Sequence, residues 1–188
     1  RLAAQGGLSG YFEGIEYNIT SDKFVPTTDS QLTPFFQNIF EGAPGNASGD
    51  EVWIQSWKPL IDVVLNDYER PGSLEISYSY LFQNIVAAYE NAPLAVSLVS
   101  VAGELGVPSG QIIGGTGTLT GTNDNDLFYL GEGNQTAQGG SGPDSYIIGR
   151  NFGHDVIDDT EHTLGTDLPD SVRFAHAKST DVTLTRDG

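Results

Sequence analysis

Two aspartates in the second half of the chain, Asp126 and Asp144, stand 18 residues apart, each within a run of turn-forming residues. Around the second the sequence is Gly139-Gly140-Ser141-Gly142-Pro143-Asp144-Ser145-Tyr146-Ile147, and around the first it is Gly121-Thr122-Asn123-Asp124-Asn125-Asp126-Leu127-Phe128-Tyr129. In both, a turn precedes the aspartate and a large apolar residue follows two positions later. Glycine lets the backbone reach φ > 0 and aim its carbonyls inward. Two carboxylates brought together repel unless a cation lies between them. A cage of two carboxylates and several carbonyls suits a hard cation with about six oxygen ligands, and Ca²⁺ tolerates an irregular cage better than Mg²⁺.

Weaker copies flank these windows. Leu130 to Gln138 keeps Gly131, Gly133 and Asn134 but has Gln135 in the aspartate position. Ile112 to Thr120 has Gly117 there, and Gly149 to Ile157 reads as a copy stretched by one residue that carries Asp155. One good cation site is therefore expected at Asp126 and Asp144, with a second, partial one resting on carbonyls or on Asp155. The run Asn123-Asp124-Asn125-Asp126 is superficially similar to an EF-hand loop, but Phe128 falls on a ligand position and the loop glycine is missing.

The window Gly139 to Ile147 fits the nonapeptide G-G-x-G-x-D-x-U-x, with U a large apolar residue, at every defined position. On that basis residues 114–188 resemble the RTX, or haemolysin-type calcium-binding, repeat family. Tyr146 to Ile157, Asp170 to Phe174 and Asp181 to Gly188 are similar to the segments that close such repeat arrays. The resemblance implies a short parallel β-roll in which each repeat gives a six-residue turn and a three-residue strand. Two repeats make one coil, so residues 18 apart stack on the same side. It further implies a Ca²⁺ site drawing on Asp126, Asp144, Gly121, Asn123, Gly139 and Ser141, with Asp155 serving the opposite side. Family membership implies type I secretion to the extracellular space or cell surface. Folding would follow on arrival in calcium, since sites of this kind hold the ion with dissociation constants on the order of 0.1–1 mM.

The rest of the chain must carry this unit. Before residue 107 apolar residues recur at helical spacing. Leu32, Phe35, Phe36, Ile39 and Phe40 form one stripe. A second helix is expected to start at Asp50 as N-cap and to stop before Pro71, with Pro59 kinking or breaking it. A third covers Tyr78 to Tyr89, and a fourth carries Pro93 in its first turn and ends near Gly106. Gly10 to Thr20 alternates weakly, as a short strand or loop would. The aromatics Phe35, Phe36, Trp53, Trp57, Phe82 and Tyr89 are expected in the core of this bundle. The predicted fold class is α+β: a helical domain at 1–110 of no recognised family, then a parallel β-roll with flanking strands at 111–188. The helical domain is expected to cap the first coil.

The chain has 25 acidic against 8 basic residues among 188, a formal charge of −17. Such a balance argues against nucleic acid and anionic membrane surfaces as partners, and it favours hydrated cations or serves solubility alone. No run of 18 apolar residues is present, so no membrane span is expected. Cysteine is absent, which removes disulfides and thiolate metal sites. The chain opens on Arg1 and has no methionine, as expected of a piece of a longer protein whose other domains are its natural partners. No zinc-protease helix, nucleophile elbow or phosphate loop occurs. His154, His162 and His176 lie apart from any metal-ligand spacing, and Asp158-Asp159 has no acid–base partner. The expected function is a non-catalytic, calcium-binding folding module of a large secreted haemolysin-like or surface protein. The alternative is the tail of a secreted enzyme (protease, lipase or glycan-degrading), or a helical domain whose active site carries no known motif.

Overall fold

A computed structural model describes residues 9–26, 32–68, 77–159 and 170–176. The chain divides into two compact units, Arg1–Gly110 and Gln111–Gly188. Among the described residues the class is mixed: four α-helices in the first unit and parallel sheets in the second.

In the first unit, α1 (Thr33–Glu41) is set by its phenylalanine stripe. Phe35, Phe36, Ile39 and Phe40 are fully buried, as is Leu32 just before the helix. They pack against α3 (Tyr78–Tyr89), whose Phe82, Ile85 and Val86 are equally buried. The buried Asn84 fixes the pairing: its Oδ1 accepts from Thr33 Oγ1 at 2.7 Å and its Nδ2 donates to the Tyr80 carbonyl at 2.9 Å. Phe35, Phe36 and Phe82 are core residues, while Trp53, Trp57 and Tyr89 are only partly buried at its margin. Gly10 to Thr20 resolves into a 3₁₀ turn and then β1 (Ile15–Asn18), which forms an antiparallel hairpin with β2 (Lys23–Pro26).

The second helix, α2 (Ala47–Asn66), departs from expectation at both marked residues. Its cap is Asn46, whose side chain accepts from the Gly49 amide, and not Asp50. Asp50 lies one turn inside and is completely buried, accepting from the Gly45 amide at 2.8 Å and the Ala95 amide at 2.7 Å. It thus ties the α1–α2 turn to the α3–α4 connection. Pro59 does not break the helix. Pro59 and Gln55, four residues before it, are both exposed, so the carbonyl that loses its amide partner lies on the solvent side. The last helix, α4 (Leu98–Glu104), is capped by Ser97, leaving Pro93 upstream of it, and it ends before Gly106 at φ 93°.

In the second unit the chain alternates between two parallel sheets. β3 (Ile112–Gly114), β5 (Leu127–Leu130), β7 (Ser145–Ile148) and β9 (Ser171–Phe174) form one, in that order. β4 (Gly117–Thr120), β6 (Gln135–Gln138) and β8 (Val156–Asp158) form the other. Leu127 pairs with Ser145 and Gly117 with Gln135, so in both sheets one circuit takes 18 residues. Later circuits lengthen, with Thr136 opposite Val156 and Ser145 opposite Ser171. Between the sheets lies a narrow core of Phe128, Leu130, Tyr146 and Ile148 from one side and Leu119 and Ala137 from the other. The rings of Phe128 and Tyr146, neighbours in register, stack at 4.9 Å with 19° between planes. Ala137 opposite these rings supplies the small residue that a thin core needs. The expected flanking strand at Asp181 to Gly188 lies outside the described residues, as does His162.

Candidate metal centre

The aspartates that precede the strands of the first sheet form a ladder. The Asp126 amide donates to Asp144 Oδ1 at 2.9 Å, and the Asp144 amide donates to Asp170 Oδ1 at 2.9 Å. Each carboxylate therefore holds the backbone one circuit behind it. On the other sheet the Gln135 amide donates to Asp155 Oδ1 at 2.8 Å, which places Asp155 one circuit above Gln135. Asp126 is 1% exposed, and its Oδ2 is occupied locally, accepting from the Thr122 amide at 2.7 Å and Thr122 Oγ1 at 3.0 Å.

Asp144 differs. It is also 1% exposed, but its Oδ2 has no hydrogen-bond partner. Around it, Asp144, Asp159 and Asp170 each offer a carboxylate oxygen, all within 4.8 Å of one another, the one such group among the described residues. Gly139 makes the space. A Cβ there would stand 2.5 Å from Asp144 Oδ2 and 2.9 Å from Asp159 Oδ1, and closer still to the Tyr146 hydroxyl. That hydroxyl is buried too, and its hydrogen-bonding neighbour is the Asp159 carboxylate. Gly121 has the matching role in the preceding circuit, since a Cβ on it would strike the Gly139 carbonyl and stand 2.9 Å from Asp126 Oδ2.

Crowding of negative charge shows in the titration of the site. Burial pushes the Asp144 carboxyl up, its bond from the Asp126 amide pulls it down, and the charges of Asp126, Asp159 and Asp170 raise it again, from 3.8 to about 7. Burial, then the charges of Asp159, Asp144 and Asp170 and a hydrogen bond to Asp159, also raise the Tyr146 phenol, which stays protonated at neutral pH. A group of carboxylates in which one holds its proton this tightly lacks a countercharge. A hard divalent cation supplies one, and the donor set, oxygens alone, is the set such a cation takes.

The residues expected to hold an ion are thus partly redistributed. Asp144 is at the centre and Gly139 beside it. Asp126 connects through its amide, and its own carboxylate is turned to Thr122. Ser141 and Asn123 belong to the turns above, where the Ser141 amide donates to the Thr122 carbonyl at 3.3 Å and the Asn123 carbonyl lies near Gly142. Asp155 lies on the opposite side, where its Oδ2 and Gln135 Oε1 are both buried without partners. Asp159 and Asp170 are the residues that sequence reasoning missed. For Asp170 a signal exists: Asp170-Ser171-Val172-Arg173-Phe174 repeats the aspartate-before-strand order of Asp144-Ser145-Tyr146-Ile147-Ile148. The longer circuit between them hides it.

No protein-family model, curated protein or solved structure matches the chain significantly. Among the described residues no helix is long and apolar enough to cross a membrane.

Proposed function

We propose that residues 111–188 are a calcium-dependent folding module of the RTX, haemolysin-type kind, belonging to a secreted or cell-surface protein. The observation that carries this reading is the buried, unbonded Oδ2 of Asp144 facing Asp159 and Asp170. A carboxylate oxygen in that position is destabilising by about 1–3 kcal/mol or more when nothing bonds it. A divalent ion removes that cost and the mutual repulsion together. The alternation of short parallel strands between two sheets, 18 residues per circuit in the regular stretch, is the architecture expected of a β-roll and supports the same reading. The module has no catalytic role in this proposal. Its work is to tie the stability of the fold to an ion abundant outside cells and scarce within them. A second, weaker ion position lies at Asp155 Oδ2 and Gln135 Oε1, where one carboxylate and one amide oxygen are left without donors.

The test is a calcium titration of the full chain followed by circular dichroism and thermal unfolding. Calcium at about 100 times its dissociation constant stabilises the folded form by about 2.7 kcal/mol. Asp144→Asn and Asp170→Asn are expected to remove most of this response, and Gln135→Ala to remove little of it. Equal losses at Asp144 and Gln135, or no response in the unmodified chain, would count against the proposal.

A further inference from the structure

Resting on the cation reading above, we infer that the Tyr146 hydroxyl is itself a ligand of the bound ion, a neutral oxygen beside the carboxylates of Asp144 and Asp159. Three observations converge on it. The ring is held: Tyr146 is 1% exposed on β7, stacked against Phe128, with no room to swing its hydroxyl elsewhere. The hydroxyl points at the cluster: a single point beside Gly139 lies close to it, to Asp144 Oδ2 and to Asp159 Oδ1. And its hydrogen-bonding neighbour is Asp159, itself a member of the cluster, while no donor reaches the phenol oxygen.

Packing alone does not explain the hydroxyl. The register partners of Tyr146 are Phe128 and Val172, so this column accepts a purely apolar side chain. A hydroxyl buried among carboxylates is desolvated, and phenylalanine would fill the same volume without that penalty. The oxygen is accounted for if an ion takes its lone pair. Its neutrality matters as well. Three carboxylates already exceed the charge of one divalent cation, and a fourth anionic ligand would add repulsion, whereas a phenol adds a donor atom and no charge. The Tyr146 O–H remains free to donate to the neighbouring Asp159 carboxylate while the oxygen faces the ion.

The test compares Tyr146→Phe and Asp144→Asn with the unmodified full chain. Without calcium, Tyr146→Phe is expected to shift the folding equilibrium by no more than about 5–30-fold, that is about 1–2 kcal/mol, since it loses one hydrogen bond to Asp159 and with it the desolvation of a buried hydroxyl. Its calcium affinity, measured by calorimetry, is expected to fall about tenfold, the effect of removing one oxygen bonded to a charge. A merely packed hydroxyl would leave affinity unchanged. Affinity of Tyr146→Phe within about twofold of the unmodified chain overturns the inference, while loss of binding in Asp144→Asn in the same series keeps the cation reading standing. If the unmodified chain binds no calcium, both fall. A second measurement needs no variant: terbium bound in place of calcium is expected to emit when tyrosine is excited, and calcium to quench that emission by displacement. Bound terbium that tyrosine fails to sensitise overturns the inference.

Discussion

With calcium removed by a chelator, the second unit is expected to lose stability as pH rises from about 4 to about 7. Asp144 sets the sign. Its folded pKa, about 7, stands above the ordinary 3.8, so the folded state holds the proton more tightly than the unfolded one. The stabilising contribution of that proton is complete below about pH 4 and is lost as pH climbs through about 7. The gap between the two values corresponds to roughly 4 kcal/mol at most, a large share of the stability of a unit this small. Under the proposed function, saturating calcium is expected to reverse the trend, because an ion would bind the ionised carboxylates. Denaturant titrations at about pH 4.5 and about pH 7.5 measure the effect. The probe is the β-sheet signal of far-ultraviolet circular dichroism, since Trp53 and Trp57 and six of the eight tyrosines lie in the first unit. The charge of −17 gives the whole chain a repulsion of the same sign, so the informative quantity is the difference between the unmodified chain and Asp144→Asn. In the variant the pH dependence should flatten by several kcal/mol. Parallel losses in the two proteins would refute the assignment of the titration to Asp144.

Three further outcomes follow from particular contacts. Gly139→Ala should abolish the calcium response in the calorimetric titration even though the backbone there tolerates alanine, because the added methyl occupies the space between Asp144, Asp159 and Tyr146. Phe128→Ala should destabilise the second unit by about 3–5 kcal/mol, read from denaturant midpoints, since it empties the centre of a thin core and removes the ring stacked on Tyr146. Asp50→Ala should cost the first unit about 2–4 kcal/mol by leaving the Gly45 and Ala95 amides without their acceptor, and tryptophan fluorescence from Trp53 and Trp57 reports that loss.

Where a local pattern repeats at constant length, it was readable. The stripe from Leu32 to Phe40 could only be a buried helix face, and Asp126 and Asp144 fall on adjacent rungs because nothing interrupts the 18 residues between them. Where circuit length changes, the period gives no guidance. Asp170 occupies the next rung, but 26 residues separate it from Asp144. Asp159 follows its strand and does not precede it, so its place beside Asp144 depends on the coil closing and on no nearby residue type. The misplaced start of α2 has a different cause. Asn46 and Asp50 are both residues that cap helices and stand one turn apart. The structure uses the first, and tertiary contact with the α3–α4 connection claims the second.

The aspartate ladder of the second unit runs in one direction. The amide of Asp126 awaits a carboxylate from Asp144, and the amide of Asp144 awaits one from Asp170. Each turn is finished by the one synthesised after it. A chain that emerges carboxyl end first therefore presents the completing acceptors before the donors that need them, whereas an amino-end-first chain must wait at every step. A nick after Ile148 would remove both Asp159 and Asp170, and its damage would travel backwards, rung by rung, toward Gly121.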